Sequence, residues 1–288
     1  MKKLLTILTV VFFTTNLFSQ EETTNNAVNK HGVSILPQAG DFAVGIDAGP
    51  LFNLAGNLMK INNGYTFNDP MAFNFVSGSS IYGKYFLADN AAVRARFDIN
   101  MNSETLNNFV ADDGSTDPEA LITDTRVVSG GEVNLGIGYE LRRGKGRLQA
   151  FYGAEVNLMF GGNTNIVYTY GNAMSTTDSI PTTTIDFENG ISTTTSARTT
   201  EAKYAGGFGA GLRGFVGVEY FVFPNISFGG EFGWGFMYNS VGEGSVTNEF
   251  WDFTTHARDT HTHLIAGSEG FDLGTDNLGG NIYMMIHF

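Results

Sequence analysis

The chain has 288 residues, a formal charge of −13, no cysteine, 37 glycines, and 16% charged against 13% aromatic residues. The lack of Cys excludes a disulfide framework, a thiolate metal centre and a lipid-modified N-terminal cysteine, and the lack of a basic patch excludes nucleic-acid binding. Soluble domains carry about 25% charged residues, so this composition points away from one, yet no apolar run beyond the N-terminus is long enough for a membrane helix.

Lys2 and Lys3 precede the apolar run LLTILTVVFF, which gives way to Thr14-Thr15-Asn16 and the small Ser19. A charged start, a short apolar segment and a small residue predict a signal peptide over 1–19, since a spanning helix needs about 20 apolar residues. Residues 20–40 are polar and aperiodic, and are expected to be a flexible periplasmic leader.

From 41 onward a two-residue period recurs eight times, over 41–55, 72–87, 91–103, 126–141, 147–161, 203–223, 226–239 and 278–288. The clearest instance sets Val93, Ala95, Phe97, Ile99 and Met101 against Arg94, Arg96, Asp98 and Asn100. The next sets Val133, Leu135, Ile137 and Tyr139 against Glu132, Asn134, Gly136, Gly138 and Glu140. Later segments place Glu155, Arg213, Glu219 and Glu231 on the parity that also holds most of the glycines, opposite Val156, Leu212, Val218 and Phe232. Period two is the strand period, and helical spacing fits none of these segments.

A soluble sandwich also alternates, but three features favour a membrane. Several segments exceed ten residues, enough for the roughly 9–11 of a tilted spanning strand. The apolar parity is rich in Phe, Tyr and Trp while the other holds Gly and charge, which suits a narrow lumen where Gly makes room for Arg and Glu. The links alternate: short at 88–90, 142–146 and 224–225, long at 56–71, 104–125, 162–202 and 240–277. The expected fold is all-β: an eight-stranded antiparallel up-and-down transmembrane β-barrel over 41–288, with short periplasmic turns and long extracellular loops.

The closing segment, Gly280 through Met284, Ile286 and Phe288, alternates apolar residues and ends on an aromatic one. It resembles the C-terminal assembly signal of outer-membrane proteins. With the leader and the hairpin layout, the chain is similar to small barrels of the OmpA/OmpX-like superfamily, most of all to the "outer membrane beta-barrel" proteins of Bacteroidetes. The resemblance covers 41–288 as a pattern, and only the last nine residues approach a motif. It implies the outer membrane of a Gram-negative bacterium, with outer-membrane lipid, lipopolysaccharide, the barrel-assembly machinery and other outer-membrane proteins as partners.

Three groups could carry chemistry. The inward charges Arg94, Arg96, Asp98, Glu132, Glu140, Glu155, Arg213, Glu219 and Glu231, with Lys84 and His287, are expected to pair as a structural plug, because buried ions of one sign are prohibitive. His256, His261 and His263, near Asp259, are candidate ligands for a metal such as Zn, Cu or Ni. The Thr- and Ser-rich stretch 162–202 is expected to be a solvated loop, and its Asp178-Ser179-Ile180 resembles a short O-glycosylation sequon of Bacteroidetes. No cofactor site is expected. The function expected is that of a non-enzymatic envelope structural protein or accessory subunit of a larger complex. The alternatives are a narrow channel and a lipid-modifying enzyme that pairs His with Ser and a carboxylate.

Overall fold

The computed structural model describes residues 34–48, 80–144, 146–275 and 281–288, and among these it contains strands and no helix. The signal peptide, most of the leader, loop 56–71 and Gly280 lie outside the described residues, as do the adjoining parts of the first two predicted strands. In chain order the strands are β1 (Phe42–Asp47), β2 (Ile81–Ala88), β3 (Ala91–Ala111), β4 (Leu121–Arg143), β5 (Leu148–Thr169), β6 (Thr182–Asp186) and β7 (Ile191–Thr194). They continue as β8 (Ala197–Tyr204), β9 (Gly207–Phe223), β10 (Ile226–Val241), β11 (Gly244–Asp252), β12 (Ala257–Ile265), β13 (Ser268–Thr275) and β14 (Asn281–His287).

All pairing is antiparallel. The ladders run β1-β2-β3-β4-β5, then β5-β9-β10-β14, and β14 returns to β1. Eight strands therefore close into a ring. At the closing seam Phe288 N–H donates to Phe42 O at 2.8 Å and Phe42 N–H donates to Phe288 O at 3.3 Å.

The described residues form fourteen strands where the periodicity predicted eight. Two of the extra strands, β6 and β7, form a separate hairpin inside the predicted loop 162–202. The others arise because long runs are broken at Ala205-Gly206, Gly242-Glu243 and Ala266-Gly267, and the pieces beyond the breaks, β8, β11 and β12, pair with one another. Loop 104–125 accordingly shrinks to residues 112–120, and much of 240–277 is strand, with β11 and β12 joined across 253–256. The prediction missed these extensions because both of their faces carry polar residues, which removes the apolar/polar alternation. Thr and Val still favour the extended backbone there.

The breaks line up. Gly161 pairs with Gly207 and sits beside a bulge at Gly131/Glu132; Gly242 N–H donates to Gly206 O at 3.1 Å. A Cβ on Gly267 would press on the backbone of Val241 and Gly242. Backbone thus meets backbone across four neighbouring runs at one level.

Below that level the alternation holds. Phe97, Ile99, Leu135, Ile137, Leu212, Phe232 and Trp234 are exposed on the outside, while Arg94, Glu140, Phe151, Glu155 and Glu219 are buried inside. Gly138 lies in register between Arg94 and Glu155, and Gly217 between Phe151 and Glu231. A Cβ on Gly217 would collide with the Phe151 ring. Glycine is required there because two large inward side chains share its place.

At the short-turn end, Asn225 takes a left-handed φ of 86° in the tight β9–β10 turn, a conformation Asn tolerates better than most residues. The expectation of a flexible leader through 40 is corrected for its last part. Ile35 is buried, Gly40 N–H donates to Phe86 O at 2.8 Å and Ala39 N–H to Asp89 Oδ1 at 2.9 Å.

Candidate functional site

The centre of the ring is filled by ion pairs. β3 and β10 stand on opposite walls, four strands apart whichever way the ring is followed, and Arg94 crosses the whole interior to Glu231. The bridge is bidentate, Nη1 to Oε2 at 2.7 Å and Nη2 to Oε1 at 3.0 Å. Lys84 on β2 likewise reaches Glu219 on the opposing β9 at 3.0 Å, and also meets Glu140 at 3.0 Å. Arg142 adds a bond to Glu219 at 3.0 Å, and Arg213 bridges Glu231 at 2.9 Å and Glu155 at 3.2 Å. Arg96 lies 3.5 Å from Glu155 and 4.0 Å from Asp98 at the more exposed margin.

Charge balances in this set. Lys84, Arg94, Arg96, Arg142 and Arg213 face Asp98, Glu140, Glu155, Glu219 and Glu231. Rings seal the gaps: Arg94 stacks over Phe215 at 4.2 Å, Lys84 over Phe151 at 4.8 Å and Arg142 over Phe86 at 5.3 Å. A guanidinium is weakly hydrated and lies well on an aromatic face. Glu140 Oε2 and Arg142 Nη1 lack a well-angled hydrogen bond although ionic partners lie within 3.0 and 3.4 Å, so Coulomb attraction holds them.

Six of the predicted lumen residues, Arg94, Glu140, Glu155, Arg213, Glu219 and Glu231, come together here. Arg96 and Asp98 form the margin. Glu132 stands apart, accepting from Asn134 Nδ2 at 2.6 Å. Sequence reasoning missed Arg142, placing it in a turn, although it keeps the inward parity of Glu140. It also missed the inward aromatics Tyr82, Phe86, Phe151, Phe215 and Tyr283, all buried. Of the predicted assembly residues, Met284 and Ile286 pair with Ile46 and Val44 of β1, and Phe288 stacks on Phe42 at 5.2 Å.

Ser227, His287 and Glu219 meet at the short-turn end, the composition of a hydrolytic triad. The geometry differs from a triad: His287 Nε2 lies 2.9 Å from Ser227 Oγ and 3.1 Å from Glu219 Oε1, while Nδ1 has no partner. In a relay the carboxylate must hold the nitrogen that the hydroxyl does not use. Here the Ser227 hydroxyl donates directly to Glu219 at 2.5 Å, and Ser227 is fully buried. The arrangement ties β9, β10 and β14 together.

The three loop histidines do not converge. His256 has a left-handed φ of 53° just before β12, and His261 and His263 lie two apart on exposed β12. Among the described residues no group of three or more His, Asp or Glu is placed to hold a metal ion.

At the opposite end, the connection from β5 to β8 corrects the expectation of a solvated loop. It folds back onto the inward parity of β3 and β4. Asp124, fully buried, accepts from Gly171 N–H and Thr184 N–H, both at 2.8 Å, and Asn108 Nδ2 donates to Thr184 Oγ1 at 3.1 Å. Arg198 forms a buried pair with Glu249 at 2.6 Å and donates to Thr183 Oγ1 at 2.9 Å and to Asn172 O at 2.8 Å. Burial, opposed by the nearby Arg198, pushes the Tyr170 hydroxyl up. Burial and the Asp113 carboxylate beside it raise Asp178 above the usual carboxylate range. Ser179, the predicted glycosylation position, is half-buried here.

No protein family matches the chain, and no curated protein is similar to it in sequence. Among solved structures, the outer membrane protein OprG from Pseudomonas aeruginosa aligns over 88% of this chain and 98% of that one, at 10% identity and a TM-score of 0.30. At those values nothing transfers from that protein, and the fold stands on the strand pairings alone.

Proposed function

We propose that the chain is a non-enzymatic transmembrane β-barrel of the Gram-negative outer membrane, an envelope structural protein or accessory subunit that presents a strand-built extracellular extension. The observation that carries this is the filled lumen: Arg94–Glu231 and Lys84–Glu219 bridge opposite walls. An eight-stranded barrel is only wide enough for its own side chains, and here they are large and paired. The outward band of Phe97, Ile99, Leu135, Ile137 and Trp234 suits hydrocarbon, and a closed ring leaves no unpaired edge within it. The resemblance of the last strand to the C-terminal assembly signal of outer-membrane proteins points the same way, and with it outer-membrane lipid, lipopolysaccharide and the barrel-assembly machinery are proposed as partners.

Planar-bilayer recording tests the filled lumen. The purified barrel is expected to give no unitary current steps, and reproducible steps would favour the narrow channel instead. Gentle purification from native membrane then separates the two structural roles: a stoichiometric companion marks an accessory subunit, and a solitary barrel a free-standing envelope protein.

Sidedness has its own test. Leu135 points outward, whereas Asn134 points inward and is bonded to Glu132. Leu135→Arg is expected to cost about 2–4 kcal/mol if the residue sits near the bilayer midplane, read as a lowered urea midpoint in liposomes. A silent Leu135→Arg beside a ruinous Asn134→Leu would invert the assignment of faces.

A further inference from the structure

We propose that residues 171–196 form a folded-in cap over the extracellular end of the barrel and that Arg198 is the latch that holds it. This rests on the barrel reading only for the word extracellular. The latch itself is read from the contacts.

Two buried charged side chains of the wall, Asp124 and Arg198, each hold the cap at two places, beside bonds from Thr182 to Asp113, from Asn108 to Thr184 and from Asn172 to Ala111 O. Asp124 on β4 takes one backbone N–H from the cap's first residue, Gly171, and one from its inner hairpin, at Thr184. Arg198 on β8 grips the same two places from the other side, through Asn172 O and Thr183 Oγ1. Each clamp therefore joins the root of the cap to its hairpin.

Arg198 cannot simply swing away. Its Nε is held by Glu249 on β11, and its guanidinium lies over the Tyr170 ring at 4.2 Å. Glu249 has a second partner in Arg258 at 3.3 Å on β12. One buried cation thus connects the cap to three consecutive runs of the wall. The apolar share of the interface is small: Met174, Pro181 and Phe187 are the buried apolar side chains that the cap contributes. A segment with few apolar contacts and several polar clamps has a low local opening energy, and removing Arg198 leaves Glu249 buried without its closest partner.

The absence of cysteine makes the test direct. A single Cys replaces Met174, which is buried, or Ser192, which is exposed and serves as reference. Labelling by a membrane-impermeant maleimide is followed in the folded full-length protein, with heat-modifiable gel migration confirming the barrel in every variant. Met174→Cys is expected to label at least about ten-fold more slowly than Ser192→Cys, the protection that a closed local unit confers. Adding Arg198→Ala, or Glu249→Gln as a milder break, is expected to remove most of that difference while migration stays normal. The proposal is overturned if Met174→Cys labels as fast as Ser192→Cys with Arg198 in place. It is equally overturned if protection survives both Arg198→Ala and Glu249→Gln, or if both variants lose the folded barrel, since a latch outside the lumen must be dispensable to it.

Discussion

Arg94→Met is expected to destabilise the barrel by about 3–5 kcal/mol, the usual cost of leaving a buried charge without its partner. Arg94 is almost wholly buried and holds Glu231 through both guanidinium nitrogens. It also lies 3.4 Å from Glu155 and 3.7 Å from Glu140. Removing it leaves the interior short of one positive charge, and neither opposite wall can move in to compensate. The double variant Arg94→Met with Glu231→Met restores the balance and is expected to be more stable than Arg94→Met alone, because an ion pair replaced by apolar groups of similar size is often neutral. The measurement is urea unfolding in liposomes, with the coupling taken from the full double-mutant cycle. Equal losses in the single and double variants would mean that the two side chains are hydrated independently, and the filled lumen would have to be abandoned.

Deleting Phe288 is expected to abolish efficient assembly while altering nothing in the lumen. Phe288 exchanges two backbone hydrogen bonds with Phe42 and stacks on its ring at 5.2 Å, so it fastens the last strand to the first. Without it β14 still pairs with β1 through Ala43–Asp47, but the lowest rung of the closing ladder is open, and unpaired backbone is costly in hydrocarbon. Pulse-labelled cells should accumulate a protease-sensitive form that does not show heat-modifiable migration. Phe288→Tyr, which keeps ring and backbone, should assemble normally. Normal assembly of the deletion would place the closing information elsewhere in the chain.

How far the fold could be read beforehand depends on what lies on each side of a strand. Val93 to Met101 alternate with Arg94 to Asn100 because one face is turned outward and apolar and the other lines a polar interior, and that contrast is written into every second residue. From Ser103 onward in β3 the contrast ends, and the periodicity ends with it although the strand continues to Ala111. The inward charges were visible individually; their partners were not. Arg94 and Glu231 are 137 residues apart, and which carboxylate faces which guanidinium depends on the stagger of the strands around the ring. Arg142 was hidden by the charged run Arg142-Arg143-Gly144-Lys145-Gly146-Arg147, which looks like a turn. Asp124, Arg198 and Glu249 carry no mark of burial in the sequence, since nothing local marks a residue whose burial is created by a distant segment folding over it.

The glycines at the level where the long runs break have a mechanical consequence. Side chains normally interlock neighbouring strands and stiffen a sheet against bending; at Gly161, Gly207, Gly242 and Gly267 there are none to interlock. The wall therefore has a crease along those runs, where neighbouring strands meet through backbone alone, while β3, β4 and β5 pass through the level unbroken. Load applied to the tip is absorbed as bending at the crease before it reaches the ion-paired interior.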